Sequence, residues 1–87
     1  MTQVMDLGTR IRRARTSVGM SQYELAVAVR ARPEAISRYE TGKIQRPSAD
    51  VCARIADATG CGLEWLILGT GDPGIVLGDD DSQTDAA

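Results

Sequence analysis

Basic side chains are concentrated in the first half of this chain. Residues 10–46 contain nine lysines or arginines against three glutamates, a net charge of +6. Residues 47–87 contain Arg54 against eight acidic residues, a net charge of −7. With Asp6, which precedes both segments, the whole chain carries only −2. A dense positive segment is typical of a surface that binds a polyanion such as nucleic acid, although it can equally be a solvated face.

The residue types that catalysis or metal binding requires are scarce. The chain of 87 residues has no histidine, and Cys52 and Cys61 are not spaced as a metal-binding pair. It has no glycine-rich phosphate loop, and nothing in the sequence fixes the acidic residues 79–81. We therefore expect no enzyme, metal site, cofactor or small-molecule ligand, and both cysteines reduced and buried.

The length and composition favour one small helical domain. Hydrophobic residues make up 43% of the chain but aromatic residues only 3%, so the core must be aliphatic, which suits closely packed short helices. No stretch approaches the roughly 20 apolar residues of a membrane helix, and the N-terminus lacks the apolar run of a signal peptide. We expect a cytoplasmic protein without membrane contact.

Apolar spacing and capping residues predict two helices in the first third of the chain. Apolar residues from Leu7 to Val18, at spacings of four, three and four, form one stripe on a first helix that ends near Gly19. Ser21 and Glu24 have the spacing of a capping box, in which each side chain satisfies a free backbone N–H of the other residue. A second helix therefore begins at Ser21.

Three more helices are predicted after a short turn. Pro33 lacks the N–H that a first helical turn cannot use, so a third helix is expected from about Pro33 to Thr41. Ser48 caps a fourth helix that ends at Gly60, and Leu63–Leu68 form a short apolar fifth helix. The expected fold is an all-α five-helix bundle.

The composition changes after the fifth predicted helix, where Gly and Asp become frequent. We therefore expect a domain over residues 6–69 and a flexible acidic C-terminal tail over residues 70–87. Ile75, Val76 and Leu77 interrupt this tail, and the sequence does not indicate whether they dock on the domain.

The second and third helices, with the turn between them, resemble the helix-turn-helix of the phage repressor and Cro type, also called XRE-like. The similarity covers residues 7–69 and implies a lambda-repressor-like DNA-binding domain. It rests on Met20-Ser21-Gln22-x-x-Leu25-Ala26, Ala35-Ile36-Ser37-Arg38-Tyr39-Glu40-x-Gly42-Lys43, Arg46-Pro47-Ser48, and Gly60 with Leu63-Glu64-Trp65-Leu66.

Two residues of the turn depart from the family pattern. Arg30 stands where Gly is usual, so either it adopts an uncommon backbone conformation, at a cost of order 1 kcal/mol, or the turn differs. Arg32 stands where a Ser or Thr cap is usual, and Pro33 follows it.

The resemblance implies a third helix that lies in the major groove of operator DNA. Arg38 would read bases, since a guanidinium can bond to guanine O6 and N7 together. Glu34 could accept a hydrogen bond from cytosine N4, and Ser37 and Pro33 are further implied base contacts. Arg38 could instead contact a phosphate, and Glu34 could simply favour the positive end of the helix dipole.

The same resemblance implies contacts with the DNA backbone, which fix the register without reading sequence. Gln22 matches the family position that anchors a phosphate, at a helix start whose N–H groups attract anions. Tyr23 could equally be an ordinary surface residue. The other implied phosphate contacts are Ser21, Tyr23, Arg32, Thr41, Lys43, Gln45 and Arg46.

Arg15 and Glu40 match the family's structural ion pair, which ties the first helix to the end of the third; a partly exposed pair gains about 0–1 kcal/mol. The last helix is more apolar than a lone terminal helix needs, so it closes the core, forms a homodimer contact, or does both. A dimer would bind a palindromic operator with half-sites about 34–36 Å apart. The implied interface consists of Trp65, Leu66, Ile67 and Leu68.

The function that follows is a sequence-specific transcriptional regulator, most simply a repressor, which binds double-stranded DNA. The alternative is a protein-interaction adapter, or an antitoxin-like partner-binding protein, that has kept the fold. The acidic overall balance favours the alternative, whereas the positive charge around Arg38 and Lys43 favours DNA.

Overall fold

Five helices form the regular structure of residues 6–44 and 47–75, the part of the chain that the computed structural model describes. This confirms the predicted all-α five-helix architecture. None of the five is long and apolar enough to cross a membrane. In chain order they are α1 Leu7–Ser17, α2 Gln22–Val29, α3 Pro33–Thr41, α4 Ala49–Thr59 and α5 Leu63–Leu68.

Side chains close in sequence fix where the first helices begin. The Ser21 hydroxyl accepts from the Glu24 N–H at 3.0 Å, and the Glu24 carboxylate accepts from the Ser21 N–H at 2.8 Å, which completes the predicted capping box. At the start of α1 the Asp6 carboxylate accepts from the Thr9 N–H at 2.9 Å, and this hydrogen bond lowers the pKa of Asp6. These helix starts therefore need no tertiary contact to be defined.

An aliphatic core lies where the helices converge. Cys52 and Cys61 belong to it, and burial raises the pKa of the Cys61 thiol. The prediction that Val18 lies on the inward stripe is wrong, since α1 ends at Ser17 and Val18 is 47% exposed. The largest fully buried side chains are Ile11, Leu25, Val29, Ile36, Ile55 and Leu66.

Gly8 lets α1 approach the last turn of α3 very closely. A Cβ atom at this position would lie 2.5 Å from the carbonyl oxygen of Tyr39 and 2.6 Å from that of Glu40. Both oxygens belong to the backbone and cannot move aside as a flexible side chain would. The absence of a side chain at Gly8 is therefore a condition for this helix contact.

Arg10 is buried, although its position in the basic segment suggests an exposed residue. Its side chain donates from Nε to the carbonyl of Leu66 at 2.8 Å and from Nη2 to the carbonyl of Ile67 at 3.1 Å. Desolvation lowers the pKa of its guanidinium, while the carbonyls at the C-terminal end of α5 supply partial negative charge. Arg10 thus joins α1 to α5 and is not part of a polyanion-binding surface.

The segment after α5 returns to the domain. The N–H of Gly62 donates to the carbonyl of Pro73 at 2.8 Å, and Ile75 packs against the core. The predicted tail, residues 70–87, therefore includes residues that still contact the helices. Val76 and Leu77, with the acidic remainder of the predicted tail, lie outside the described residues.

Replacing Gly8 by Ala should lower the free energy of unfolding by about 1–3 kcal/mol, because the new methyl group meets two backbone oxygens. Helix propensity alone predicts the opposite sign, a gain of up to about 1 kcal/mol. Urea denaturation followed by circular dichroism measures the difference. Arg12→Ala, on the exposed side of α1, is the control and should stay within about 0.5 kcal/mol of the wild type. A stabilised Gly8→Ala variant would contradict the close approach.

Candidate nucleic-acid interface

The four residues predicted to read bases lie together on the outer side of α3. Pro33, Glu34 and Arg38 are exposed, and Ser37 is half-buried. At 3.6 residues per turn these positions fall within an arc of about 140°. Ile36, on the opposite side of the helix, is completely buried. The helix is thus anchored by an apolar side chain behind a polar outer face.

The turn before α3 contains Arg30 and Arg32, the two residues that depart from the family pattern. Arg30 adopts the left-handed conformation, with φ 61° and ψ 41°, which is the first of the two expected possibilities. Arg32 is extended, with φ −86° and ψ 147°, and its side chain makes no capping hydrogen bond. Pro33 occupies the first turn of α3, as predicted. Only three residues therefore separate α2 from α3.

A largely buried polar cluster fixes the last turn of α3 to the two preceding helices. Arg15 donates from Nε to Glu40 Oε2 at 2.6 Å and from Nη2 to Glu40 Oε1 at 3.0 Å. Its Nη1 donates to the carbonyl of Met20 at 2.9 Å. The two side chains are only 13% and 4% exposed, so the pair is more shielded from water than the sequence suggested.

Gln22 joins this cluster from the first turn of α2. Its Nε2 donates to Glu40 Oε1 at 3.0 Å, so Glu40 holds the orientation of the amide. A primary amide has two N–H donors, and the second remains for another acceptor. The ion pair at the back of α3 therefore also orients a polar group at the start of α2.

The other predicted phosphate contacts differ in their availability. Ser21 caps α2, while Tyr23 is 65% exposed on the first turn of that helix. The Thr41 hydroxyl donates to the carbonyl of Ser37 at 2.9 Å and would have to rotate before donating to a phosphate. Gln45 and Arg46 lie outside the described residues.

The structure separates the basic residues of segment 10–46 into two groups. Arg10 and Arg15 make hydrogen bonds inside the domain, and Arg13 also has an interaction partner. The positive surface is consequently smaller than the net charge of the segment implies. The exposed basic residues that have no ion pair within the described part of the chain are Arg12, Arg30, Arg32, Arg38 and Lys43.

The last helix buries half of the dimer interface that the sequence predicts. Trp65 is 5% exposed and Leu66 is completely buried, so both belong to the core of a single chain. Both therefore have the core-closing role, one of the two roles that the sequence left open for the last helix. The outer side of α5 instead carries Leu63 and Leu68, which are 42% and 66% exposed, with the half-buried Ile67 between them.

The sequence analysis did not predict a role for three side-chain positions that matter for the site, namely Gly8, Arg10 and Arg30. Arg10 had a detectable signal, because it lies three residues after Leu7 and four before Ala14 and so falls on the inward stripe. Gly8 had none, since its role is a contact with a distant helix. For Arg30 the sequence predicted an uncommon backbone conformation but no role for the side chain.

Comparison with known proteins agrees with this geometry. The helix-turn-helix family matches residues 11–66, which include all of α2, α3 and α4. The match covers more than half of the chain, and it confirms the resemblance that the motifs indicated.

Solved structures with the same fold include DNA-binding domains. The P22 c2 repressor in complex with a synthetic operator is 26% identical, with a TM-score of 0.70 over 76% of this chain and 98% of that one. The N-terminal DNA-binding domain of SinR from Bacillus subtilis is 23% identical, with a TM-score of 0.65 over 69% of this chain and 87% of that one. The solution structure of the P22 c2 repressor DNA-binding domain is 24% identical, with a TM-score of 0.66 over 97% of this chain and 96% of that one.

Removing the Glu40 carboxylate should destabilise the domain strongly. Glu40→Ala leaves the Arg15 guanidinium buried without its counter-ion, which typically costs about 3–5 kcal/mol. The double variant with Arg15→Met should lose much less than the sum of the two single variants, because no unpaired charge remains. Chemical denaturation of all four proteins measures this coupling. Additive losses would show that the two side chains do not stabilise each other.

Proposed function

Because this chain belongs to the helix-turn-helix family, we propose that it is a sequence-specific regulator of transcription that binds double-stranded DNA. In this proposal α3 enters the major groove, and α2 lies across the DNA backbone. The regulator acts most simply as a repressor, which occupies a promoter and excludes polymerase. The likeness to a repressor solved with a synthetic operator supports this role.

The observation that carries the proposal is the outer face of α3. Arg38 and Glu34 are exposed there, and Arg38 has no ion pair within the described residues. In the groove, Arg38 pairs with guanine O6 and N7, Glu34 accepts from cytosine N4, and Pro33 packs on a thymine methyl group. Ser37 is a further contact from the same face.

Affinity comes from contacts with DNA phosphates by residues that surround this face. The second N–H of Gln22 donates to a phosphate while the first holds Glu40. Arg32 and Lys43 supply charge at the two ends of α3. Such contacts release counter-ions from DNA and so make binding depend on salt. The other proposed phosphate contacts are Ser21, Tyr23, Thr41, Gln45 and Arg46.

A homodimer places two reading helices on a palindromic operator. The apolar outer side of α5, formed by Leu63, Ile67 and Leu68, is the proposed contact, since it is exposed in the single chain. Two copies related by a twofold axis would present α3 to half-sites about 34–36 Å apart.

Arg38→Ala should cost about 1–3 kcal/mol on the cognate duplex and relax selection at one base pair. Lys43→Ala, the matched control, removes a phosphate contact and should weaken all sequences alike. The cognate duplex is obtained by selection from random sequences, and affinities on it and on random DNA are measured by fluorescence anisotropy. An equal loss for Arg38→Ala on both duplexes would reject base reading by this residue.

The same titrations test the function itself. A regulator that neutralises phosphates loses affinity steeply as salt rises. An adapter that has kept the fold without binding DNA would show no salt-dependent duplex binding. That result would reject the proposal as a whole.

Leu68→Asp should shift the chain towards the monomer and raise the dimer dissociation constant at least about tenfold, because a leucine that the proposed dimer buries is replaced by a charge in both copies. Sedimentation equilibrium measures this constant. Val27→Asp is a closely matched control, since Val27 is 61% exposed but lies on α2. An equal effect of the two substitutions would argue against α5 as the interface.

A further inference from the structure

Arg30 has a backbone conformation that suits glycine better than arginine. It is the one residue other than glycine with a positive φ in the described part of the chain, at 61°. A side chain in this region brings its Cβ close to the backbone, so arginine here costs free energy that glycine would not. Strained residues of this kind concentrate at functional sites.

The fold itself makes no use of the Arg30 side chain. At the end of α2 the backbone N–H of Arg30 donates to Val27, and the N–H of Ala31 donates to Ala26 at 2.8 Å. Closer to the turn, the carbonyl of Val29 accepts from Arg54 Nη1 at 3.3 Å. The carbonyls of Ala26, Val27 and Val29 thus have other donors, and the guanidinium of Arg30 caps none of these three.

The guanidinium lies free beside the reading helix. Arg30 is exposed and has no ion pair within the described residues. It precedes Pro33 by three residues, which span at most about 11 Å. Arg32, also exposed and without an ion pair in those ranges, lies between them. The turn therefore presents two adjacent cations at the start of α3.

We infer that Arg30 binds a backbone phosphate of DNA next to the base pairs that α3 contacts, and that it forms with Arg32 a cationic clamp at the α2–α3 turn. This inference rests on the proposed function. Arg30 contributes affinity on every sequence and no base preference, because phosphates are the same at every step. A partner outside the chain explains what the arginine gains at a position where glycine would be less strained.

Arg30→Gly separates binding from folding, because the two should change in opposite directions. The variant should unfold at the same or a higher urea concentration, since glycine relieves the left-handed backbone. Its DNA binding should also become less salt-dependent. Between about 50 and about 200 mM salt, the affinity of the wild type should fall by a factor about 3.5 times larger than that of the variant, as expected for one phosphate contact. The loss at low salt should be equal on cognate and random duplexes.

Two further variants control for charge. Arg30→Lys keeps the positive charge and should retain the salt dependence of the wild type. Arg12→Gln removes one exposed charge from α1 and should change the salt dependence less than Arg30→Gly. A wild-type salt dependence in Arg30→Gly, or an equal change in Arg12→Gln, would overturn the inference.

The failure of the inference is distinguishable from the failure of the proposed function. If the wild type binds duplex DNA and Lys43→Ala weakens it, but Arg30→Gly does not, the assignment of Arg30 alone is wrong. If the wild type shows no salt-dependent binding to any duplex, the DNA-binding function itself is wrong, and the role of Arg30 with it.

Discussion

The buried bond between Arg15 and Glu40 links the elements that carry the proposed DNA interface. Both side chains have lost most of their water, so each depends on the other for charge compensation, and breaking the pair is far more costly than its net stabilisation suggests. The geometry is bidentate, which fixes the distance and the angle between α1 and the end of α3. Gln22 bonds to the same carboxylate, so one cluster positions both α3 and the start of α2.

Steric fit and charge act together at this contact. Gly8 allows the backbone of α1 to touch the last turn of α3, a distance at which any side chain would collide. The side chain of the same Glu40 bonds to Arg15, which lies farther along α1, and supplies the specific bond. The first contact permits the approach and the second selects one register, so the outer face of α3 is presented in a defined orientation.

The arginines of this chain fall into two groups, one that bonds inside the domain and one that is exposed to solvent. Arg10 and Arg15 turn inward and donate to carbonyl and carboxylate oxygens, for which a planar guanidinium with five N–H donors is well suited. Arg30, Arg32 and Arg38 turn outward and have no ion pairs within the described ranges. Charge counted along the sequence does not distinguish these groups, yet only the outward one can meet a polyanion.

The sequence by itself determined the helices, their order and most of their ends, because caps and turns depend on residues within about four positions of each other. The capping box at Ser21 and the proline at the start of α3 are of this kind, and the motif residues indicated the family. Only the tertiary structure decided that Arg10 is buried and that Trp65 belongs to the core and not to an exposed face. Burial depends on which helices meet, and the contacts of Arg10 with α5 join residues more than fifty positions apart. No local pattern can express such a contact.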